Sequence, residues 1–461
     1  MKPLPKNPLS LPELRARISR FVTLEDAIVC AQVCKDWSND FISVVWHTID
    51  FEIHGNLKSL GPQVLRKYSH HIRVVKNLES NPHLEAILWS RATRITSLQM
   101  VMKPTSRYQA QCYDVIRQNR ANLTYLHLST LSNSSDKELF FSIDVLSPSA
   151  TMKETSKLTL LKIQNLRLTR DAFSSLLQAC PLLVTLDIRG TTFSTAWIDG
   201  EYQHTGVTCL IAPIKQVFMV DSKTTRDLSL LVHFPNLAIW KLWTESSTPD
   251  LEVPPEEIKD EVTKYCPALK TICTETSSAI TTQLLIHGFE GLTKLCVTMQ
   301  QLTPDVILAI LTYRETLEHV LTYDLFQGFY EQEDVHEVED HLQGHSWMMQ
   351  ILPQICYRLK TMMFPWHEIN ISEVEKTSWN CKDLTVLHIR IADLNTKEKI
   401  SRTIQLWKEG RQSREGNLVQ VRGSDSGNFP DDSSLEARVA RLLLTFERLS
   451  IVWLGTRVYS V

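Results

Sequence analysis

The sequence predicts an α/β chain in which three short helices, residues 1–50, precede an irregular solenoid, residues 51–461, with parallel strands on its concave side and helices on its convex side. Two observations point there. A short pattern, apolar-x-x-apolar-x-apolar, recurs through most of the 461 residues. The first fifty residues lack it and instead place apolar side chains at helical intervals.

The helical segment comes first. Ser10-Leu11-Pro12-Glu13 has the Ser-x-x-Glu spacing of a capping box, with proline tolerated in the first turn, and Leu11, Leu14, Ile18 and Phe21 follow at helical steps. Thr23 to Asp26 offers a second cap, after which Leu24, Ala27, Ile28 and Ala31 sit at i, i+3, i+4 and i+7. A third helix carries Trp37, Phe41, Val44 and Val45. Three helices in about 40 residues are at the limit of what can bury its own apolar surface, so the surplus needs a second surface to cover it.

The repeats follow. The clearest copies are NLTYLHL (Leu123, Leu126, Leu128), KLTLLKI (Leu158, Leu161, Ile163), LLVTLDI (Leu183, Leu186, Ile188) and DLTVLHI (Leu384, Leu387, Ile389). Looser ones are RITSLQM, NLAIWKL, ALKTICT, GLTKLCV, TLEHVLT, RLKTMMF and RLSIVWL. Starts at 158 and 183, at 292 and 317 and at 359 and 384 are 25 apart, and those at 269 and 292 are 23 apart. That period belongs to leucine-rich repeats, each a short strand followed by a helix or irregular return. Positions 4 and 6 of the motif share the inward face of a strand, while positions 3, 5 and 7 face outward. Between strands the pattern turns helical, as in LTRDAFSSLLQACP, where Ala172, Leu176, Leu177 and Ala179 lie near one face before proline ends the helix. Two insertions interrupt the array: an acidic run near 329–345 and a Gly/Ser/charge-rich stretch, 408–434, expected to be a mobile loop.

Composition narrows the function classes. With 49 basic and 52 acidic residues the net charge is -3, so no overall field gathers nucleic acid or anionic lipid, and neither is expected as a partner. No apolar run is long enough to span a membrane, and the N-terminus has no apolar segment after its lysines, which sets the expectation of a cytoplasmic or nuclear protein. None of the ten cysteines has Cys-x-x-Cys spacing, so the thiols are expected reduced, as small core hydrophobes. No P-loop, dinucleotide fingerprint, Gly-x-Ser-x-Gly or His-Glu-x-x-His occurs, and His336 and His341 are five apart, the wrong spacing for a shared metal. No catalytic residue, metal or cofactor is expected, and the chain is read as a non-enzyme.

The run from Leu11 to Phe51 resembles an F-box. The residues that carry the likeness are Leu11, Pro12, Glu13, Leu14, Ile18, Asp26, Val33, Cys34, Lys35, Trp37 and Trp46, with Val-Cys-Lys-x-Trp as the most specific part. The chain has one residue fewer between Pro12 and Glu13 than that family usually has, and Asp26-Ala27 where the family has Asp-Leu. The likeness covers about a tenth of the chain; the wider arrangement, an F-box followed by irregular leucine-rich repeats, is similar to fungal F-box proteins. The resemblance implies a substrate receptor of a Skp-cullin-F-box ubiquitin ligase, docked on a Skp-type adaptor and through it on a cullin-RING core. Pro8, Leu11, Pro12, Leu14, Ile18, Leu24, Ala27 and Val33 are then the candidate adaptor face, with Trp37 filling the bundle's own core.

For the repeats, outward strand positions are the expected surface for an unknown target protein: Asp187 and Arg189, Lys241 and Trp243, His319 and Tyr323, His388 and Arg390, and Trp453. Lys241 and Trp243 are the sharpest pair, a cation and an aromatic two residues apart on one strand face. The alternative reading is a leucine-rich-repeat scaffold unconnected with ubiquitylation, its helices only a cap on the repeats. A hydrolase with a divergent site has no constellation behind it.

Overall fold

The computed structural model describes residue 9 and residues 11–53, 62–103, 105–130, 146, 156–193, 202–218, 229–243, 253–298, 301–323, 350–417, 433–454 and 457–460. Pro8, Ser10, the acidic run near 329–345 and the two histidines within it lie outside these residues. The chain divides into two compact units, Met1–Ala212 with Gln216–Asn236, and Pro213–Lys215 with Leu237–Val461. The division falls near residue 237, within the run of strands.

The first unit opens with α1 (Pro12–Ile18), α2 (Leu24–Val33) and α3 (Lys35–Val45). Pro12 lies in the first turn of α1 as expected, but the N-cap residue is Leu11 rather than Ser10, and it has no side-chain acceptor to offer. Thr23 does cap α2, its hydroxyl accepting from the Asp26 N–H at 3.2 Å. Strands follow at once: β1 (Thr48–Asp50), β2 (Val74–Leu78), β3 (Ser97–Met102), β4 (Tyr125–Thr130), β5 (Leu160–Gln164), β6 (Arg167–Leu168), β7 (Thr185–Asp187), β8 (Thr192–Phe193) and β9 (Cys209–Ile211). They pair in parallel in the order β1-β2-β3-β4-β5-β7-β9, with β6 and β8 forming a small pair of their own. Because β1 pairs with β2, the strand array begins inside residues 1–50.

The second unit contains β10 (Ile239–Trp243), β11 (Thr271–Glu275), β12 (Lys294–Thr298), β13 (His319–Tyr323), β14 (Thr361–Ile369), β15 (Val386–Ile391) and β16 (Ile451–Leu454), parallel and in chain order. β17 (Arg457–Ser460) turns back antiparallel on β16 and so occupies the backbone groups of its open edge.

Register explains the repeat. Leu98, Leu126, Leu161, Leu186 and Leu210 stand opposite one another across β3, β4, β5, β7 and β9, each fully buried. Trp240, Ile272, Leu295, Val320, Met362, Leu387 and Val452 form the matching row in the second unit. Position 6 is buried alongside, for example Leu128, Ile163, Leu242 and Ile389. A strand period of two puts both positions on one face, and stacking removes that face from water.

Position 2 has its own role. Its carbonyl accepts the N–H groups of positions 2 and 3 of the next repeat: Thr96 O takes Thr124 N and Tyr125 N, Thr124 O takes Thr159 N and Leu160 N, and Lys360 O takes Thr385 N and Val386 N. Where position 2 is threonine, its hydroxyl donates to the same carbonyl, as Thr124 does at 3.1 Å, Thr159 at 3.0 Å and Thr385 at 2.9 Å. The recurring Leu-Thr of the motif is therefore a hydrogen-bond requirement as well as a pattern.

Within the parallel array, three strands, β1, β2 and β9, escape the motif as read from the sequence, as do the short β6–β8 pair and the antiparallel β17. In β2 the register jumps between Val75 and Leu78, where Asn77 takes a left-handed φ of 53°. β9 reads Cys-Leu-Ile and is followed by Ala212 at the inward position, too small to mark the pattern. Returns between strands are helical in several repeats, including Asn81–Ser90, Ser106–Asn119, Arg170–Ala179, Pro255–Tyr265 and Pro304–Ile310. On Arg170–Ala179 the largest buried side chain is Phe173, and Ala172 is only half-buried.

The stretch expected to be a loop at 408–434 is helical over its first part. One helix runs from Lys397 to Asn417 and another from Leu435 to Leu444. Trp407 is fully buried, and Arg411 and Arg414 reach the Leu449 and Leu444 carbonyls. Tertiary contacts thus hold a sequence whose glycines and charges argue for disorder; residues 418–432 lie outside the described residues.

Candidate functional site

Two surfaces concentrate the side chains expected to act. The first is the helical segment. α1 is tied to α3 by Arg15, which is buried, ion-paired with Asp40 and donating to the Leu9 carbonyl at 2.9 Å. Trp37 stacks on Phe41 at 5.3 Å. Ala27 and Phe41 are the buried apolar side chains of the three helices, whereas Leu14 is 36% exposed, Val33 61%, Val29 64% and Phe21 86%. Val29 and Val33, four residues apart, share one face of α2.

Of the expected adaptor face, Leu14 and Val33 are exposed and Pro12 stands at the surface, while Leu11, Ile18 and Leu24 are half-buried. Ala27, also expected on that face, is fully buried. Phe21, Ile28 and Val29 are exposed and apolar but are not among the residues expected to face the adaptor; Phe21 and Ile28 belong to the helical patterns read from the sequence, and Val29 adjoins Ile28.

The second surface is the outward strand face. In the first unit it carries a polar chain across three strands: His127 Nε2 lies 3.0 Å from Gln164 Oε1, the Gln164 amide donates to Asp187 Oδ2 at 3.3 Å, and Arg189 donates to Asp187 through Nε at 3.1 Å and Nη2 at 2.8 Å. Asp187 is consequently covered completely, which corrects its expected role: its carboxylate orients Arg189 and does not meet solvent. Arg189 remains 32% exposed. Burial lowers the His127 pKa from its ordinary value. A second polar run joins Asp50, Asn77 and Gln99, the Asn77 amide donating to Asp50 at 2.8 Å.

In the second unit Lys241, Cys273, Cys296, Leu321, Met363, His388 and Trp453 occupy one outward row across β10 to β16. Lys241 is exposed. His388 is a correction, since the Trp453 ring lies 4.6 Å from it and leaves it 6% exposed. Trp453 and Arg390 are half-buried. His319 bonds the Thr361 hydroxyl at 2.9 Å, and burial lowers its pKa. The backbones of Trp243 and Tyr323 end β10 and β13, opposite Glu275 and Thr298, and their side chains lie outside the described residues.

Five thiols, Cys112, Cys180, Cys266, Cys356 and Cys381, are buried and pushed up to about 12 by burial, which makes them inert core groups. Among the described residues no three His, Cys, Asp or Glu side chains gather as a metal site, and no helix is long and apolar enough to cross a membrane.

No protein-family model matches the chain, and neither does any curated protein. Among solved structures it is similar to one described as "Crystal structure of mouse RP105/MD-1 complex", with a TM-score of 0.40 and 13% identity over 75% of this chain and 61% of that one. The chain spans less than two thirds of that protein's length, and a likeness this distant carries no argument about activity or partners. The leucine-rich solenoid rests instead on the strand register and buried rows of this chain.

Proposed function

We propose that the protein is a non-catalytic receptor, with its N-terminal helices docking a Skp-type adaptor of a cullin-RING ubiquitin ligase and its repeats holding a target protein. The observation that carries the proposal is the mismatch in α1 to α3: Leu14, Phe21, Val29 and Val33 stay exposed while Ala27 and Phe41 alone of their apolar side chains are buried. Apolar side chains that a bundle leaves in water are the mark of a surface that a partner covers. The Val-Cys-Lys-x-Trp run beside them supplies the family to which that partner would belong. For the target, the exposed Lys241 and the partly exposed Arg189 and Trp453 are of types that bind proteins well.

Pulldown of the full chain with a Skp-type adaptor tests this. Wild type should recover the adaptor, and Leu14→Asp or Val33→Asp should each lower recovery at least about tenfold, since a charge placed in an apolar contact costs well over 1.4 kcal/mol. A wild-type chain that binds no such adaptor supports the second reading, a repeat scaffold unconnected with ubiquitylation.

A further inference from the structure

Cys273 on β11 and Cys296 on β12 are register partners in a parallel ladder and face outward together. Neighbouring strands lie about 4.8 Å apart, inside the 4.4–6.8 Å Cα range that a disulfide spans. Both cysteines are free, and they differ in access: Cys273 is 9% exposed and Cys296 is half-buried. Lys241 is the register partner of Cys273 on the other side, and Lys294 lies two residues before Cys296 on the same face. Thr271 and Glu275 flank Cys273 along its strand, and Leu321 borders Cys296.

We propose that Cys273 and Cys296 form a reactive dithiol on the outward face, in which Cys296 attacks small disulfides and Cys273 resolves the product into a cross-strand disulfide. The Cys296 thiolate attacks one sulfur of a reagent disulfide, displacing the other half as a thiolate and leaving a mixed disulfide. Cys273, losing its proton to solvent, then attacks the Cys296 sulfur and expels the remaining half as a second thiol. The protein dithiol is oxidised by two electrons and the reagent is reduced to two thiols.

The asymmetry has a physical cause. A hydrogen bond from the Cys273 thiol, together with Lys294 and Lys241, favours the thiolate of Cys296, and the same bond together with burial raises Cys273. The more accessible member is thus the nucleophile and the covered one waits beside it. No Cys-x-x-Cys motif marks the pair, because the 23-residue repeat between positions 269 and 292 brings the two together instead. The inference is independent of the adaptor reading, since it uses only the register of β10 to β12.

The test treats the full chain with dithiodipyridine near neutral pH, follows released thiopyridone by absorbance and maps the products by peptide mass. The expected products are Cys296 modified first and then a 273–296 disulfide, reversed by a thiol reductant. Cys273→Ala should leave a stable mixed disulfide on Cys296, formed about threefold more slowly for each tenfold of thiolate lost. Cys296→Ser should leave Cys273 reduced. The proposal is overturned if wild type gives no 273–296 disulfide, whether the peptides stay reduced or carry separate stable adducts. Because wild type decides the matter, a variant that fails to fold does not blunt the test.

Discussion

Gln301, 3% exposed, uses all four of its hydrogen-bonding positions. Its oxygen accepts from the Thr298 N–H at 2.8 Å and the Thr274 hydroxyl at 3.0 Å, and its amide donates to the Thr276 carbonyl and, at 3.2 Å, to the Thr281 hydroxyl. Gln301→Leu keeps the volume but strands those partners, so it should cost about 2 kcal/mol in urea unfolding. His367 presents the opposite case, a buried imidazole whose Nδ1 has no hydrogen-bond partner among the described residues. Burial lowers its pKa to about 4, so below the ordinary value of 6.5 the unfolded chain binds a proton that the folded chain does not. Stability from this group is complete above pH 6.5 and is lost as pH falls toward 4, by about 3 kcal/mol. Subtracting the pH–stability curve of His367→Leu from that of wild type should isolate this loss; a flat difference between pH 6.5 and 4 would disprove it. Neither role was legible in the sequence, where Gln301 and His367 are ordinary polar residues. Only the packing around them decides.

At the scale of one repeat, the motif separates two kinds of contribution. Leu126 sits at the centre of a buried leucine row, and Leu126→Ala should destabilise by about 3 kcal/mol through lost transfer energy and a residual cavity. Thr124, at exposed position 2, donates one hydroxyl bond to Thr96, and Thr124→Val should cost no more than about 1 kcal/mol. Chemical denaturation of both variants checks the ordering, and a reversal would mean that the carbonyl ladder rather than the core holds the repeats. The motif-bearing strands were legible because inward positions demand large apolar side chains at fixed spacing. β9 was not, since Ala212 fills an inward position, and the helix Lys397–Asn417 was not, since its order depends on Trp407 and on carbonyls at Leu444 and Leu449.

On the scale of the chain, helices and repeats are expected to divide the work, one surface for an adaptor and another for a target. A chain beginning at residue 47 removes α1 to α3 but keeps β1, whose pairing with β2 a cut at residue 50 would destroy. Proximity labelling with the proteasome inhibited should find that this shorter chain loses the adaptor and retains the target. Loss of both together would argue against two separate surfaces. The composition, with 43% hydrophobic residues and a net charge near zero, fits a protein that works through packed repeats and local surface chemistry rather than a long-range field.

By itself the sequence determined the kind of element at most places: short helices first, then short parallel strands with apolar side chains inward at positions 4 and 6. Those follow from local periodicity, which a single chain carries in full. The tertiary structure decided which side chains of a given face remain available. Asp187 takes a hydrogen bond from Gln164, His388 is covered by Trp453, and Cys273 meets Cys296 one repeat away. Exposure and pairing are set by neighbours on adjacent strands, more than twenty residues distant in the chain, where a local pattern has no reach.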